Sequence, residues 1–92
     1  MAKVPIRIKQ SIRAGNYLIG DHCSTELAYD GFSDQDAVTA VLNAEECDKL
    51  TGDESHIRFV IYGLARDGRE IDVVVMIHEG TIIFKTAYEN HG

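Results

Sequence analysis

The chain of 92 residues contains no apolar run near the ~20 residues that a membrane-crossing helix needs. Met1-Ala2-Lys3-Val4-Pro5 lacks the apolar core of a signal peptide, which points to a cytoplasmic protein with no membrane partner. Only Cys23 and Cys47 are present, too few for the disulfide framework of a small secreted domain, so two reduced and buried thiols are expected. No Cys-x-x-Cys occurs, and Cys23 follows His22 directly, on a different helix face, which argues against a thiol nucleophile. His22, Cys23, Cys47 and His56 do not form the closely paired ligands of a structural zinc site, and neither a metal nor a cofactor is expected. Gly63, Gly68 and Gly80 have no phosphate-cradle spacing. Repeats, low-complexity tracts and linkers are also lacking, so residues 1–92 read as a single domain.

The chain is 45% hydrophobic, as a globular domain is, and carries a net charge of −6. That charge is unevenly spread. Residues 1–20 hold Lys3, Arg7, Lys9 and Arg13 and no acid, whereas residues 21–54 hold ten acids against the single Lys49. An acidic middle repels phosphate backbones, so RNA is disfavoured as an extended partner, although a local basic patch is compatible with the pattern.

Apolar spacing predicts a helix over 5–13, with Pro5 in its first turn, Ile8 and Ile12 on one face and Gly15 as its stop. Tyr17–Ile19 reads as a short strand or extended link. Asp21 is the expected N-cap of a helix over 22–30 that Gly31 ends. Ser33-Asp34-Gln35-Asp36 is a capping-box variant and should start a helix reaching Asn43, with Ala37, Val38, Val41 and Leu42 buried. A weak edge strand is expected at Asp48–Leu50 and a loop at Thr51–Ser55.

From Ile57 to Tyr88 the pattern is strand, turn, strand, turn, strand. Ile57, Phe59 and Ile61 share a face of the first strand and Ile71, Val73, Val75 and Ile77 a face of the second. Ile82, Phe84, Thr86 and Tyr88 are expected on one face of the third. Asp67-Gly68 is expected as a two-residue hairpin turn, and His78-Glu79-Gly80 as a second turn site. The fold class is therefore α+β, two to three N-terminal helices packed on a three- to four-stranded antiparallel sheet.

Several features occur in a familiar order. They are an Ile-rich first helix ending in Gly15, Tyr17 and His22, then Gly31-Phe32-Ser33, Asn43-Ala44, Gly63, Asp67-Gly68-Arg69, a valine run and Thr86-Ala87-Tyr88. Over residues 6–89 this order resembles the family catalogued as domain of unknown function 4258, which is thought to belong with small bacterial toxins of the RelE, ParE and BrnT kind. The resemblance implies a RelE-like toxin fold with helices on one face of a curved sheet, a ribonuclease or ribosome-associated ancestry, and an antitoxin as protein partner. It also places His22, Arg69, Thr86 and Tyr88 at polar positions of the family. Glu26 and Asp30 stand where relatives commonly carry basic residues, and Asp72 where they commonly carry His.

Cleavage of RNA through its 2′-hydroxyl requires a base, an acid and cations that stabilise the phosphorane. His22 is the best base among these residues, because imidazole titrates near neutrality. Tyr88 can donate a proton or orient phosphate, and Arg69 and Lys85 can supply positive charge. The catalytic set of a metal-independent endoribonuclease would then be His22, Arg69 and Tyr88, converging in space. The structural alternative has His22 packed under the sheet, Tyr88 at the core edge and Arg69 flanking a turn. The basic N-terminal block is either a dock for an acidic partner or the solvated side of a helix, and the latter is the commoner role of such faces. An exposed edge beside Cys47–Ser55 is a further contact candidate. Two functions follow as expectations, a toxin-related ribonuclease working with an antitoxin, or a non-catalytic protein-interaction or homodimerisation module of the same fold.

Overall fold

The computed structural model describes residues 1–50 and 57–92. The expected Thr51–Ser55 loop and His56 lie outside the described residues. The chain runs β1 (Ala2–Lys3), α1 (Ile6–Arg13), β2 (Tyr17–Ile19), α2 (Asp21–Tyr29), α3 (Asp34–Asn43), β3 (Glu46–Leu50), β4 (Ile57–Leu64), β5 (Glu70–His78) and β6 (Thr81–Glu89). It is an α+β fold of three helices and one six-stranded sheet in the order β1-β3-β4-β5-β6-β2.

This sheet corrects the expectation of three or four antiparallel strands. The β3 to β6 meander is antiparallel, but two short strands from the N-terminal segment extend it at both ends. β1 pairs antiparallel with β3, so Asp48–Leu50 is part of a longer strand flanked at Glu46 and Cys47 by residues of β1. β2 pairs in parallel with β6, which makes the sheet mixed. Tyr17–Ile19 is the short strand that its sequence allowed, whereas the two-residue β1 is too short to display any alternation.

Helix boundaries follow local chemistry. Pro5 precedes α1 rather than occupying its first turn, and Ile8 and Ile12 are buried. Gly15 takes a φ of +80° just beyond α1 and Gly31 one of +79° beyond α2, the left-handed conformation that glycine adopts at no Cβ cost. The N-cap of α2 is Gly20, not Asp21, and Asp21 instead lies in the first turn where its charge suits the helix dipole. At α3 the expected capping box is complete, with the Asp36 N–H donating to Ser33 Oγ at 3.3 Å and the Ser33 N–H to Asp36 Oδ2 at 2.9 Å. Ala37, Val38 and Val41 are buried and Leu42 packs half-buried at the core margin.

Cross-strand pairs define two sheet faces. Cys47, Ile61, Val73 and Ala87 form one row under the helices, each fully buried. The Phe59, Val75 and Phe84 row lies beside it. The expected single face of Ile82, Phe84, Thr86 and Tyr88 is interrupted. Val74 pairs with Thr86 and Val75 with Phe84, so Lys85 is an extra residue in a β-bulge. Beyond it the alternation slips by one, Ala87 takes the core position, and Thr86 and Tyr88 turn to the opposite face.

His78-Glu79-Gly80 is a turn as expected, but Asp67-Gly68 is not a two-residue hairpin. The two-residue hairpin is Glu79-Gly80, with φ values of 50° and 81° between the paired His78 and Thr81. At Asp67-Gly68 only Gly68 has a positive φ, and the loop is longer, closed by the Ala65 N–H to the Arg69 carbonyl. Arg66 accounts for the extension, since its N–H and Nε–H both donate to Asp36 Oδ1 at 3.1 Å and draw the loop onto the start of α3.

Candidate functional site

The bulge in β6 and the brevity of β2 together create the first concavity. β2 pairs with Ile82–Phe84, and among the described residues no strand pairs with the C-terminal half of β6 on that side. α2 runs alongside instead. Asp30 Oδ2 accepts from the Glu89 N–H at 3.1 Å, and Glu26 Oε1 accepts from the Thr86 hydroxyl. Asp30 thus occupies a backbone donor that an exposed sheet edge would offer to another chain, while Glu26 meets a side-chain hydroxyl of the same strand. Between α2 and β6 lies a shallow groove of about 370 Å³ lined by Thr25, Glu26, Tyr29, Asp30 and Tyr88.

His22 stands one helical turn before this groove, its side chain 76% exposed, with Nε2 3.1 Å from Glu26 Oε1. It does not pack beneath the sheet. Tyr88 lines the groove and is 43% exposed. Thr86, on the same strand face, meets the Glu26 carboxylate that also meets His22. His22, Thr86 and Tyr88 are therefore gathered around Glu26, within a wall of carboxylates.

Arg69 is placed differently. Its guanidinium donates to Asp67 Oδ2 at 2.9 Å, the Asp30 carbonyl at 3.0 Å, Glu89 Oε1 at 3.3 Å and the Gly31 carbonyl at 3.3 Å, and it lies 4.0 Å over the Phe32 ring. The hydrogen bond to Asp67 raises the Arg69 pKa and hydrogen bonds from Arg69 lower that of Asp67, so the pair is held charged. Arg69 thus ties the β4–β5 loop to the carbonyls of the α2 C-cap Asp30 and of Gly31 after it, the end where a cation suits the helix dipole. Eight helical residues separate His22 from Asp30, about 12 Å at the usual rise. Arg69 stands at the far end of α2 from the imidazole, with its donors already engaged.

The cysteines lie in the core. Burial, reinforced by Asp34 and Glu26, pushes the Cys23 thiol up to about 11, and burial also raises Cys47. Neither is a thiolate near neutrality.

A second concavity, of about 410 Å³, opens at the end of the sheet where α3 stops. Its lining includes Glu45, Glu46, Tyr62, Glu70, Asp72 and Asn90, and no Lys or Arg among the described residues. Asp72 is 8% exposed and accepts from the Asn90 amide, at 3.2 and 3.4 Å. The Tyr62 hydroxyl donates to Asp48 Oδ2 at 2.7 Å, and this bond to an acceptor raises its pKa to about 12. Sequence reasoning passed over this cleft. Its acids come from β3, β5 and the link between α3 and β3, although Asp72 inside Ile71–Ile77 was a visible polar interruption of an apolar strand.

The cleft continues onto the face of the sheet turned away from the core. Register places Leu18, Ile83, Met76, Arg58 and Leu50 in one row across it, and Thr86, Val74, Val60 and Asp48 in the next. Tyr88, Asp72, Tyr62, Glu46 and Lys3 form the third.

Neither a family model, nor a curated protein, nor a solved structure matches this chain. Among the described residues no helix is long and apolar enough to cross a membrane.

Proposed function

We propose that this chain is a protein-interaction module that binds a partner protein across the outer face of its sheet. The carrying observation is the composition of that face, where the half-buried Val74, Met76 and Ile83 stand beside Tyr62 and Tyr88, with Val60 buried among them and Leu18 62% exposed at the margin. All three helices contact elements of the sheet, and the row they bury, Cys47 to Ala87, is the opposite one. Contiguous apolar surface bordered by polar groups is the usual composition of a recognition patch. Substituting Met76→Glu should abolish binding of the partner without unfolding the protein. Partner capture by Met76→Glu equal to that of the parent would overturn the reading. A stable dimer of the chain alone in light scattering would identify the partner as a second copy.

The toxin-related ribonuclease implied by the family resemblance is the second reading. It is favoured by one observation, the gathering of His22, Thr86 and Tyr88 around Glu26. Against it stand Glu26 and Asp30, which repel phosphate at the groove, and the engagement of Arg69. Expression in bacteria, alone and as His22→Ala with Tyr88→Phe, tests it through growth and bulk RNA integrity. Growth arrest with RNA cleavage that the double substitution abolishes would establish the nuclease. Normal growth and intact RNA with folded protein favour the interaction module.

A further inference from the structure

We infer that the occupant of the outer sheet face is a basic amphipathic helix of the partner protein, with its apolar side chains over the Leu18, Ile83 and Met76 end and its Lys or Arg side chains in the acidic cleft. This inference rests on the interaction-module reading and adds the chemistry of the partner.

Charge complementarity carries it. Along β5 and its neighbours the face changes character from one end to the other. Met76 pairs with Ile83, and Ile83 with Leu18, so the three stand side by side on β5, β6 and β2. Adjacent strands lie about 4.8 Å apart, which makes this apolar strip about 10 Å wide, the width of one helix. Val74, half-buried, continues the apolar surface one row further on, beside the buried Val60. Next come Asp72 and Glu46 in the third row and Glu70 beyond them, all on the same face by strand alternation. Glu45 closes the cleft beside the end of α3, whose C-cap carbonyl at Ala44 already accepts from Lys9 Nζ at 2.6 Å.

The spacing fits a helix. Four residues of β5 separate Met76 from Asp72, about 13 Å at the strand rise. On a helix that distance is two to three turns. An occupant with apolar residues on one turn and basic residues two to three turns later would meet both ends at once. An acidic helix would bring like charges onto Glu46, Glu70 and Asp72. Lys3 at the sheet edge and Arg58 at the apolar end are the basic side chains in these rows, and Met1, whose ammonium lies 3.9 Å from Asp48 Oδ1, is in the cleft lining.

The test uses the full chain and a pair of synthetic labelled helical peptides. One carries leucines at one end and lysines two to three turns on, and the other has glutamates in place of the lysines. Fluorescence anisotropy should show binding of the lysine peptide, weakening steeply with added salt, and none of the glutamate peptide. Glu46→Gln with Glu70→Gln, a pair on the rim that leaves the core intact, should weaken the lysine peptide about tenfold. Met76→Glu should weaken it at least as much. Equal binding of both peptides, an unchanged affinity in the double glutamine variant, or no binding of the lysine peptide at its solubility limit would overturn the basic occupant. Loss of binding in Met76→Glu with no change in the glutamine variant would overturn only the charge assignment and leave the interaction module standing. Tight binding that Met76→Glu leaves unchanged would overturn both.

Discussion

Gly63 of β4 lies directly beneath Ala40 of α3, so closely that a Cβ on Gly63 would sit 2.1 Å from the Ala40 carbonyl oxygen. The clash would be with helix backbone, which cannot rotate aside. α3 therefore rests on β4 at a distance only glycine permits, and its register sets where the capping box and the acidic cleft fall.

Gly63→Ala should consequently destabilise the fold by about 3 kcal/mol, the upper range for overpacking, or prevent folding. Denaturant unfolding of this variant beside the parent checks it. A loss below 1 kcal/mol, the range of a well-tolerated substitution, would mean that α3 moves freely on the sheet.

Asp36 should make stability depend on acid pH. Burial opposes its charge, but hydrogen bonds from Ser33 and Arg66 outweigh burial and hold its pKa at about 2, below the ordinary 3.8. Its stabilisation is present above the unfolded value and is lost as pH falls from about 4 through 2. The shift corresponds to about 2 kcal/mol at neutral pH. Asp36→Asn should lose that much at pH 7 and flatten the acid limb of the stability curve.

Cys23 and Cys47 should resist thiol reagents in the native state, because both are fully buried and both thiols are raised. Titration with a chromogenic disulfide should give no fast phase at neutral pH and two equivalents in denaturant. A fast native phase would disprove the burial.

Asp30→Ala should expose the C-terminal half of β6 by removing the acceptor of the Glu89 N–H. The expected cost is about 1 kcal/mol, with faster hydrogen exchange at the Glu89 amide. Unchanged exchange would show that another group covers this edge.

Arg69→Ala and His22→Ala should separate in stability. Arg69 holds the Asp30 and Gly31 carbonyls, Asp67 and Glu89, so its loss should lower the melting temperature. His22 is exposed on the first turn of α2, and its loss should leave the melting temperature nearly unchanged. Equal melting curves would remove the structural role of Arg69.

Much of the fold was legible where a pattern repeats. The α3 capping box, the buried Ile8 and Ile12, and the alternation of Ile71 to Ile77 follow from spacing within one element, because side-chain direction recurs every 3.6 or every 2 residues. The same rule misled at β6, where a bulge at Lys85 moves Thr86 and Tyr88 to the outer face and Ala87 into the core. A bulge is fixed by its partner strand, and nothing in Phe84-Lys85-Thr86 announces it.

By itself, then, the sequence determined the α+β class, the α3 cap, the buried thiols and the apolar faces of β4 and β5. These depend on residues close along the chain. Tertiary structure alone decided that two short N-terminal strands flank the sheet, that Arg69 braces the end of α2, and that acids from distant segments meet beside Tyr62 and Asn90. Each of those joins residues far apart in sequence, and such pairings are settled by which surfaces pack together, a choice made by the whole molecule rather than by any stretch of it.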